Sequence, residues 1–146
     1  MTIVVITMKS REVVVELMRG GNLAYDQIHT MLQPFDLTMQ QFNVLRILRG
    51  RNGSAACLES ITQNMIQRMS NTSRLVDRLI EKGLVNRDIC ANNRRKVDIF
   101  ITAKGLELLK KIDPVLDATE AKITSSLSKL EMEHLLQLLT KFKSKH

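Results

Sequence analysis

The sequence predicts a mainly α-helical chain carrying a small β-hairpin wing: a winged helix-turn-helix flanked by helices at both ends. Three observations carry this reading. Aromatic residues make up only 3% of the 146 positions while leucine, isoleucine and methionine are abundant, a composition that favours helices. Apolar residues recur mostly at helical spacing, except in two short β-type runs near 84–90 and 96–102. The whole net charge of +7 resides in the middle third, over those runs and the two helices before them.

Taken in order, a first helix is predicted over 11–32, from Val14, Leu17, Met18, Ala24, Ile28, Met31 and Leu32, with Gly20-Gly21 as a candidate kink and Pro34 as its stop. Thr38-Met39-Gln40-Gln41 reads as a capping box, in which the threonine oxygen meets the N3 amide and the glutamine reaches back. It opens a second helix buried through Phe42, Leu45 and Leu48 and closed by 50–53. A short third helix spans about 58–67, with Leu58, Ile61 and Met65 inward. A fourth runs over 70–82 with Leu75, Val76 and Leu79 inward and stops at Gly83, suited to the left-handed position after a helix. The two β runs are joined by 91–95, where asparagines that tolerate positive φ suit a turn around Asn92-Asn93. Thr102 caps a long helix through Leu106, Leu109 and Ile112, with Pro114 inside it and a bend expected there. Ser128-Lys129-Leu130-Glu131 is a second capping box, opening a last helix whose leucines occupy more than one face, which calls for a partner chain.

The length fits one domain able to fold without metal or disulfide staples. No apolar run is long enough to cross a bilayer, and the opening 2–7 run is too short for a secretion signal. Cys57 and Cys90 form no secreted-type framework, so a soluble, cytoplasmic protein is expected. Between Arg46 and Lys96 stand eleven basic and four acidic residues, whereas the flanking segments are nearly neutral. A local basic block of this kind suits a polyanion, because counterion release scales with the cations engaged.

With Leu75, Val76 and Leu79 inward, the helical period turns Ser70, Ser73, Arg74, Asp77 and Arg78 outward, with Asn71 beside them in the first turn. Small polar side chains at a helix start allow close approach to phosphate, and Arg74 can donate two hydrogen bonds to guanine O6 and N7. The competing reading pairs Arg74 and Arg78 with Asp77 or Glu81 on the helix surface. At the hairpin tip, Arg94-Arg95-Lys96 suit the negative potential of a narrow minor groove, with Asn92, Asn93 and Arg87 beside them; the competing reading is a solvated tip. Arg46, Arg49, Arg51 and Arg68 are further candidates, for phosphate contacts.

Three stretches resemble the MarR (multiple antibiotic resistance regulator) family of bacterial transcription factors. They are Leu37-Thr38-Met39-Gln40-Gln41-Phe42-Asn43-Val44-Leu45, the run from Ser73-Arg74-Leu75-Val76-Asp77-Arg78-Leu79 to Gly83-Leu84-Val85-Asn86-Arg87, and Asn93-Arg94-Arg95 with Ile99-Phe100-Ile101-Thr102-Ala103-Lys104-Gly105. The resemblance implies a homodimer with interlocking terminal helices (8–36 and 106–146), a DNA-binding lobe over 37–105, a palindromic operator and, usually, repression. It places Ser73 and Arg74 on the recognition helix and Arg94 and Arg95 in the wing. It also implies a response to a small phenolic or aromatic acid, or to an oxidant through a cysteine, while the scarcity of aromatic residues leaves a pocket of Leu, Ile and Met suited to an apolar effector. Two positions depart from the family pattern: Asn93 stands where a wing aspartate is usual, and Ile66-Gln67-Arg68-Met69 replaces a smaller turn.

No catalytic constellation is present, so no enzyme activity and no cofactor are expected. His29, His134 and His146 are far apart, and Cys57 and Cys90 lack zinc spacing; no metal site is expected. Cys90, near Arg87 and the wing cations, is a redox candidate, as is Cys57, each set against an ordinary half-buried cysteine. The alternative function is a winged-helix protein- or RNA-interaction module that does not read duplex DNA.

Overall fold

The computed structural model describes residues 2–67, 70–90, 92–93 and 95–144, with side chains from residue 9 onward. The elements are α1 (Thr2–Leu32), a 3-10 turn (Gln33–Phe35), α2 (Met39–Arg49), α3 (Leu58–Asn64), α4 (Thr72–Glu81), β1 (Val85–Ile89), β2 (Val97–Ile101), α5 (Ala103–Ile123) and α6 (Lys129–Lys143). The fold is a winged helix-turn-helix with helical extensions, as the sequence predicts. Backbone contacts divide it into a lobe, residues 28–115, and a terminal unit, residues 1–27 and 116–146.

In the lobe, α2, α3 and α4 enclose the core together with the hairpin and the adjoining ends of α1 and α5. Leu32, Val44, Leu45, Leu48, Ile61, Val76, Leu79, Val85, Ile99, Leu109 and Ile112 are all fully buried. The α2 capping box forms: Thr38 Oγ1 accepts from the Gln41 N–H at 3.1 Å, and Gln41 Oε1 accepts from the Thr38 N–H at 3.2 Å. The hairpin is antiparallel, pairing Val85 with Ile101 through to Ile89 with Val97. It has a third partner that periodicity could not show. Ala56 exchanges backbone hydrogen bonds with Ile99 at 3.0 and 2.9 Å, so a one-residue bridge ties the start of α3 to the wing.

The end of α4 and the root of the wing meet at one joint. Gly83 has φ 73°, its N–H donates to Ile80 O, and the Leu84 N–H donates to Leu79 O, the bond pair of a Schellman cap. Thr102 donates from Oγ1 to Gly83 O at 2.8 Å and accepts from the Gly105 N–H at 3.1 Å, so one hydroxyl caps α5 and holds the end of α4. A Cβ at Gly105 would lie 2.5 Å from Leu84 O and 2.7 Å from Ile101 Cγ1; only glycine fits there.

Several predicted boundaries move. α1 begins at Thr2, nine residues before the predicted start, and runs through Gly20-Gly21 without interruption. α3 stops at Asn64 and not at 67, because Met65 is extended (ψ 142°) and the Ile66 N–H donates to Asn43 Oδ1 at 2.8 Å, outside the helix. α4 begins at Thr72, so Ser70 and Asn71 precede it and do not form its first turn. α5 passes through Pro114, within residues 103–123.

In the terminal unit, Leu116 is the one buried apolar side chain among those described. Val13, Val14, Leu17, Met18 and Leu23 of α1 are exposed, as are Met132, Leu135, Leu136, Leu138 and Phe142 of α6. At 100° per residue, those five and the half-buried Leu139 fall in one stripe covering about half of α6, with exposed Leu130 off it.

Candidate nucleic-acid interface

α4 owes its pose to two polar contacts, one half-buried and one exposed, and to one cation. Thr72, buried, shares a 2.6 Å hydroxyl hydrogen bond with Thr62 of α3. Asn43 of α2 holds the turn between α3 and α4 through the Ile66 amide. At the other end, the Lys82 ammonium donates to the carbonyl of Asp36 and to Gln41 Oε1 (3.2 Å), and lies 3.4 Å from the Asp36 carboxylate. Thr72 follows the apolar register of α4 and so was visible in the sequence. Asn43 and Lys82 carried no such signal, since their partners are 23 and 46 residues away in the chain.

The outward residues of α4 are those the period predicts: Ser73, Arg74, Asp77 and Arg78 are exposed, with Ser70 and Asn71 exposed just before the helix. Asn71 makes no side-chain cap bond to the first turn. Neither Arg74 nor Arg78 has a carboxylate within ion-pair distance among the described residues, so the pairing with Asp77 or Glu81 of the competing reading does not form. Asp77 pairs instead with Arg87 of β1, Nη1 to Oδ1 at 3.0 Å. That contact reassigns both residues. Arg87 braces the wing root against α4, and in doing so it neutralises the one carboxylate lying between Arg74 and Arg78.

The wing turn is built differently from the expectation. Neither Asn92 nor Asn93 has positive φ; among described non-glycine residues only Asp36 and Asn52 do. The Asn93 N–H donates to Cys90 O (3.2 Å), the Lys96 N–H donates to Asn93 O (2.9 Å), and Asn93 Oδ1 accepts from the Arg95 N–H (3.0 Å). The last is an Asx turn, in which the side chain replaces a backbone acceptor and no left-handed residue is needed. Asn92, Asn93, Arg95 and Lys96 are exposed at this tip; Arg94 lies outside the described residues. Along the shaft Asp88 stands directly opposite Asp98, a like-charge pair with no cation in ion-pair range among the described residues.

The four phosphate candidates part ways. Arg49 Nη1 bonds both oxygens of Asp113 of α5, at 3.0 and 2.9 Å, so its charge serves the lobe itself. Arg46 sits 5.6 Å from the Phe42 ring centroid, and exposed Arg51 donates to Ala55 O at 2.8 Å. Arg68 lies outside the described residues. Of the redox candidates, Cys57 caps α3, its Sγ accepting from the Ser60 N–H at 3.4 Å, while Cys90 is half-buried at the wing with its N–H donated to Lys96 O. No cluster of three or more His, Cys, Asp or Glu among the described residues could hold a metal ion. No described helix is long and apolar enough to cross a membrane.

Residues 37–97 match the model of the MarR family, from just before α2 to the first residue of β2. The fold is similar to AbsC, a MarR family transcriptional regulator from Streptomyces coelicolor, with a TM-score of 0.84 at 24% identity over 92% of each chain. A MarR-like transcription regulator from Bacillus cereus gives 0.83 at 22% identity, over 94% of this chain and 98% of that one. A cysteine-to-serine mutant of Escherichia coli MarR complexed with operator DNA gives 0.82 at 22% identity, over 90% and 93%.

Proposed function

We propose that this chain is a MarR-family regulator that binds duplex DNA sequence-specifically, as a homodimeric repressor on a palindromic operator; the match of residues 37–97 to the family model and the similarity of the fold to solved regulators support it. The observation that carries this reading is the charge arrangement on α4. Arg74 and Arg78 are exposed and unpaired by any described carboxylate, and Asp77 between them is neutralised by Arg87. For phosphates or guanine edges that arrangement removes the one repulsive group.

In this reading Arg74 makes the base contact and Ser70, Asn71 and Ser73 approach the phosphate at the start of α4. Arg78, Arg95, Lys96 and Arg46 add backbone attraction, and Arg94 and Asn92 belong to the same wing. The uncapped first turn of α4 supports the phosphate role, since its amides can accept an outside anion. The exposed apolar residues of α1 and the apolar stripe of α6 support a dimer, which gives two lobes and hence a two-fold site. The operator-bound Escherichia coli protein of the same fold supports binding to operator DNA; repression in a bacterial cytoplasm is part of the same proposal. Relief by a small apolar or aromatic-acid effector, or by oxidation at Cys90, completes the proposal.

Duplex binding measured against salt tests it. Affinity falls steeply as salt rises, by about 0.9 log units per log unit of salt for each phosphate engaged. Arg74→Ala costs about 1–3 kcal/mol and relaxes sequence preference. Weak, salt-insensitive duplex binding, or tighter binding to RNA or protein partners, would overturn the reading.

A further inference from the structure

We propose that Asn52-Gly53, in the turn between α2 and α3, is a self-modifying site whose conversion to a carboxylate lowers the attraction of the basic lobe for polyanions. Of the eight asparagines, Asn52 alone precedes a glycine. When the following backbone nitrogen attacks an asparagine side chain, a five-membered ring closes, and a side chain on that next residue hinders the closure. Gly53 offers none, and even a Cβ there would meet nothing within 4 Å. Asn52 (φ 51°) and Gly53 (φ 87°) are the central residues of a turn closed by the Ser54 N–H donating to Arg51 O at 3.0 Å, the pattern of a type I′ turn. All four residues are exposed. Among the described residues neither the Asn52 side chain nor the Gly53 N–H has a hydrogen-bond partner. Both reacting groups are therefore free, and one exposed bond spans the rotation that joins them. Asn43, Asn64 and Asn93, by contrast, have side-chain partners.

The conversion needs no reagent but water. The Gly53 backbone nitrogen bonds to Asn52 Cγ, the Cγ–Nδ2 bond breaks, and the backbone amide proton leaves with that nitrogen as ammonia. Water then opens the ring. Cleavage at Cγ restores the main chain and leaves aspartate; cleavage at the backbone carbonyl routes the chain through Cγ and leaves isoaspartate. Either product replaces a neutral amide by a carboxylate. Aspartate tolerates left-handed φ and keeps the turn, whereas isoaspartate adds a methylene to the main chain and changes its path. The new charge stands next to exposed Arg51, within the basic block that runs from Arg46 to Lys96. There it opposes the phosphates that the block attracts. That consequence rests on the DNA-binding reading above; the conversion itself does not.

The test ages the folded full chain for days in mildly acidic and mildly alkaline buffer and then digests it with trypsin. Cleavage after Arg51 and Arg68 releases residues 52–68. This peptide becomes one mass unit heavier, in two chromatographic forms, with the change at Asn52. The change is faster in alkali, because the attacking nitrogen must shed its proton, and it runs ahead of every other asparagine. Conversion at Asn52 no faster than at Asn71 or Asn92 overturns the proposal. Two variants read the consequence with a random-sequence duplex as the probe. Asn52→Asp carries the product charge, while Asn52→Gly takes the left-handed turn and has no side chain to convert. At low salt the aged chain and Asn52→Asp bind about threefold more weakly than the fresh chain, and the gap closes as salt screens the charge. Aged Asn52→Gly binds as it does when fresh. Thermal unfolding of Asn52→Asp stays at the unsubstituted value, so the loss is one of charge and not of folding. Equal affinity of Asn52→Asp and the fresh chain overturns the effect on binding. A chain that converts at Asn52 and binds no duplex is a different result: it removes the DNA-binding reading and leaves the conversion standing.

Discussion

The lobe and the terminal unit use the same aliphatic residues to opposite ends. Every fully buried large side chain among the described residues, from Leu32 to Ile112, belongs to the lobe. In the terminal unit Met18, Leu23, Leu135, Leu136 and Phe142 are between 40% and 65% exposed. Composition alone does not distinguish these regions; the difference lies in what each apolar stripe has to pack against. Three short helices and a hairpin surround a core, whereas the helices of the terminal unit leave broad apolar arcs exposed. On the function proposed above, the lobe reads DNA and the terminal helices associate with a second copy of the chain.

One test of that contrast lies at the joint between α4 and the wing. Gly105→Ala places a methyl 2.5 Å from a backbone carbonyl, which no side-chain rotation relieves. Destabilisation of about 1–3 kcal/mol is expected, read by urea unfolding of the lobe signal. Because Thr102, Gly83 and Leu84 shift with it, duplex binding falls as well. A variant as stable as the unsubstituted chain would show that the joint is looser than the packing implies.

The next test acts on the terminal unit. Leu135→Glu puts a charge in the middle of the α6 stripe without touching the lobe core. Losing one buried leucine at an interface costs about 1.5–3 kcal/mol, so sedimentation should show a dimer dissociating at roughly ten- to hundredfold higher concentration. Far-UV signal and the unfolding of the lobe stay unchanged. A monomer before substitution, or a dimer indifferent to it, would break the division of labour.

How far the sequence foretold all this follows the same division. Features written locally were legible: both capping boxes form as spelled, Gly83 adopts its left-handed cap, and the outward set on α4 follows from the 3.6-residue period. Features written across the chain were not. Arg87 reads locally as a wing cation, yet its partner Asp77 lies ten residues away and makes it a brace. Arg49 reads as a phosphate ligand until Asp113, sixty-four residues on, takes both of its bonds. The Ala56–Ile99 bridge is a single residue long and so leaves no alternation to detect. Asn93 was read for its backbone freedom, and the structure uses its side chain.

The smallest expected effect is a pH dependence confined to the terminal unit. In the α6 capping box the Ser128 N–H donates to Glu131 Oε1 at 3.0 Å and Ser128 Oγ accepts from the Glu131 N–H at 3.1 Å. The Ser128 backbone bond, aided by its hydroxyl, holds the Glu131 carboxyl below its ordinary value. A group whose pKa is lower in the folded state adds stability that is fully present above its unfolded pKa. That stability is lost as pH falls through the folded one. The start of α6 should therefore fray as Glu131 protonates, seen as a loss of amide protection at Ser128 and Glu131 relative to the intrinsic exchange rate at each pH. The Asx turn of the wing involves no carboxylate and should show no such change over the same range. Glu131→Gln keeps an acceptor for the Ser128 N–H and removes the charge, so the cap persists while its acid sensitivity disappears. If Glu131→Gln frays with acid as the unsubstituted chain does, the sensitivity comes from another group and the cap is not its source.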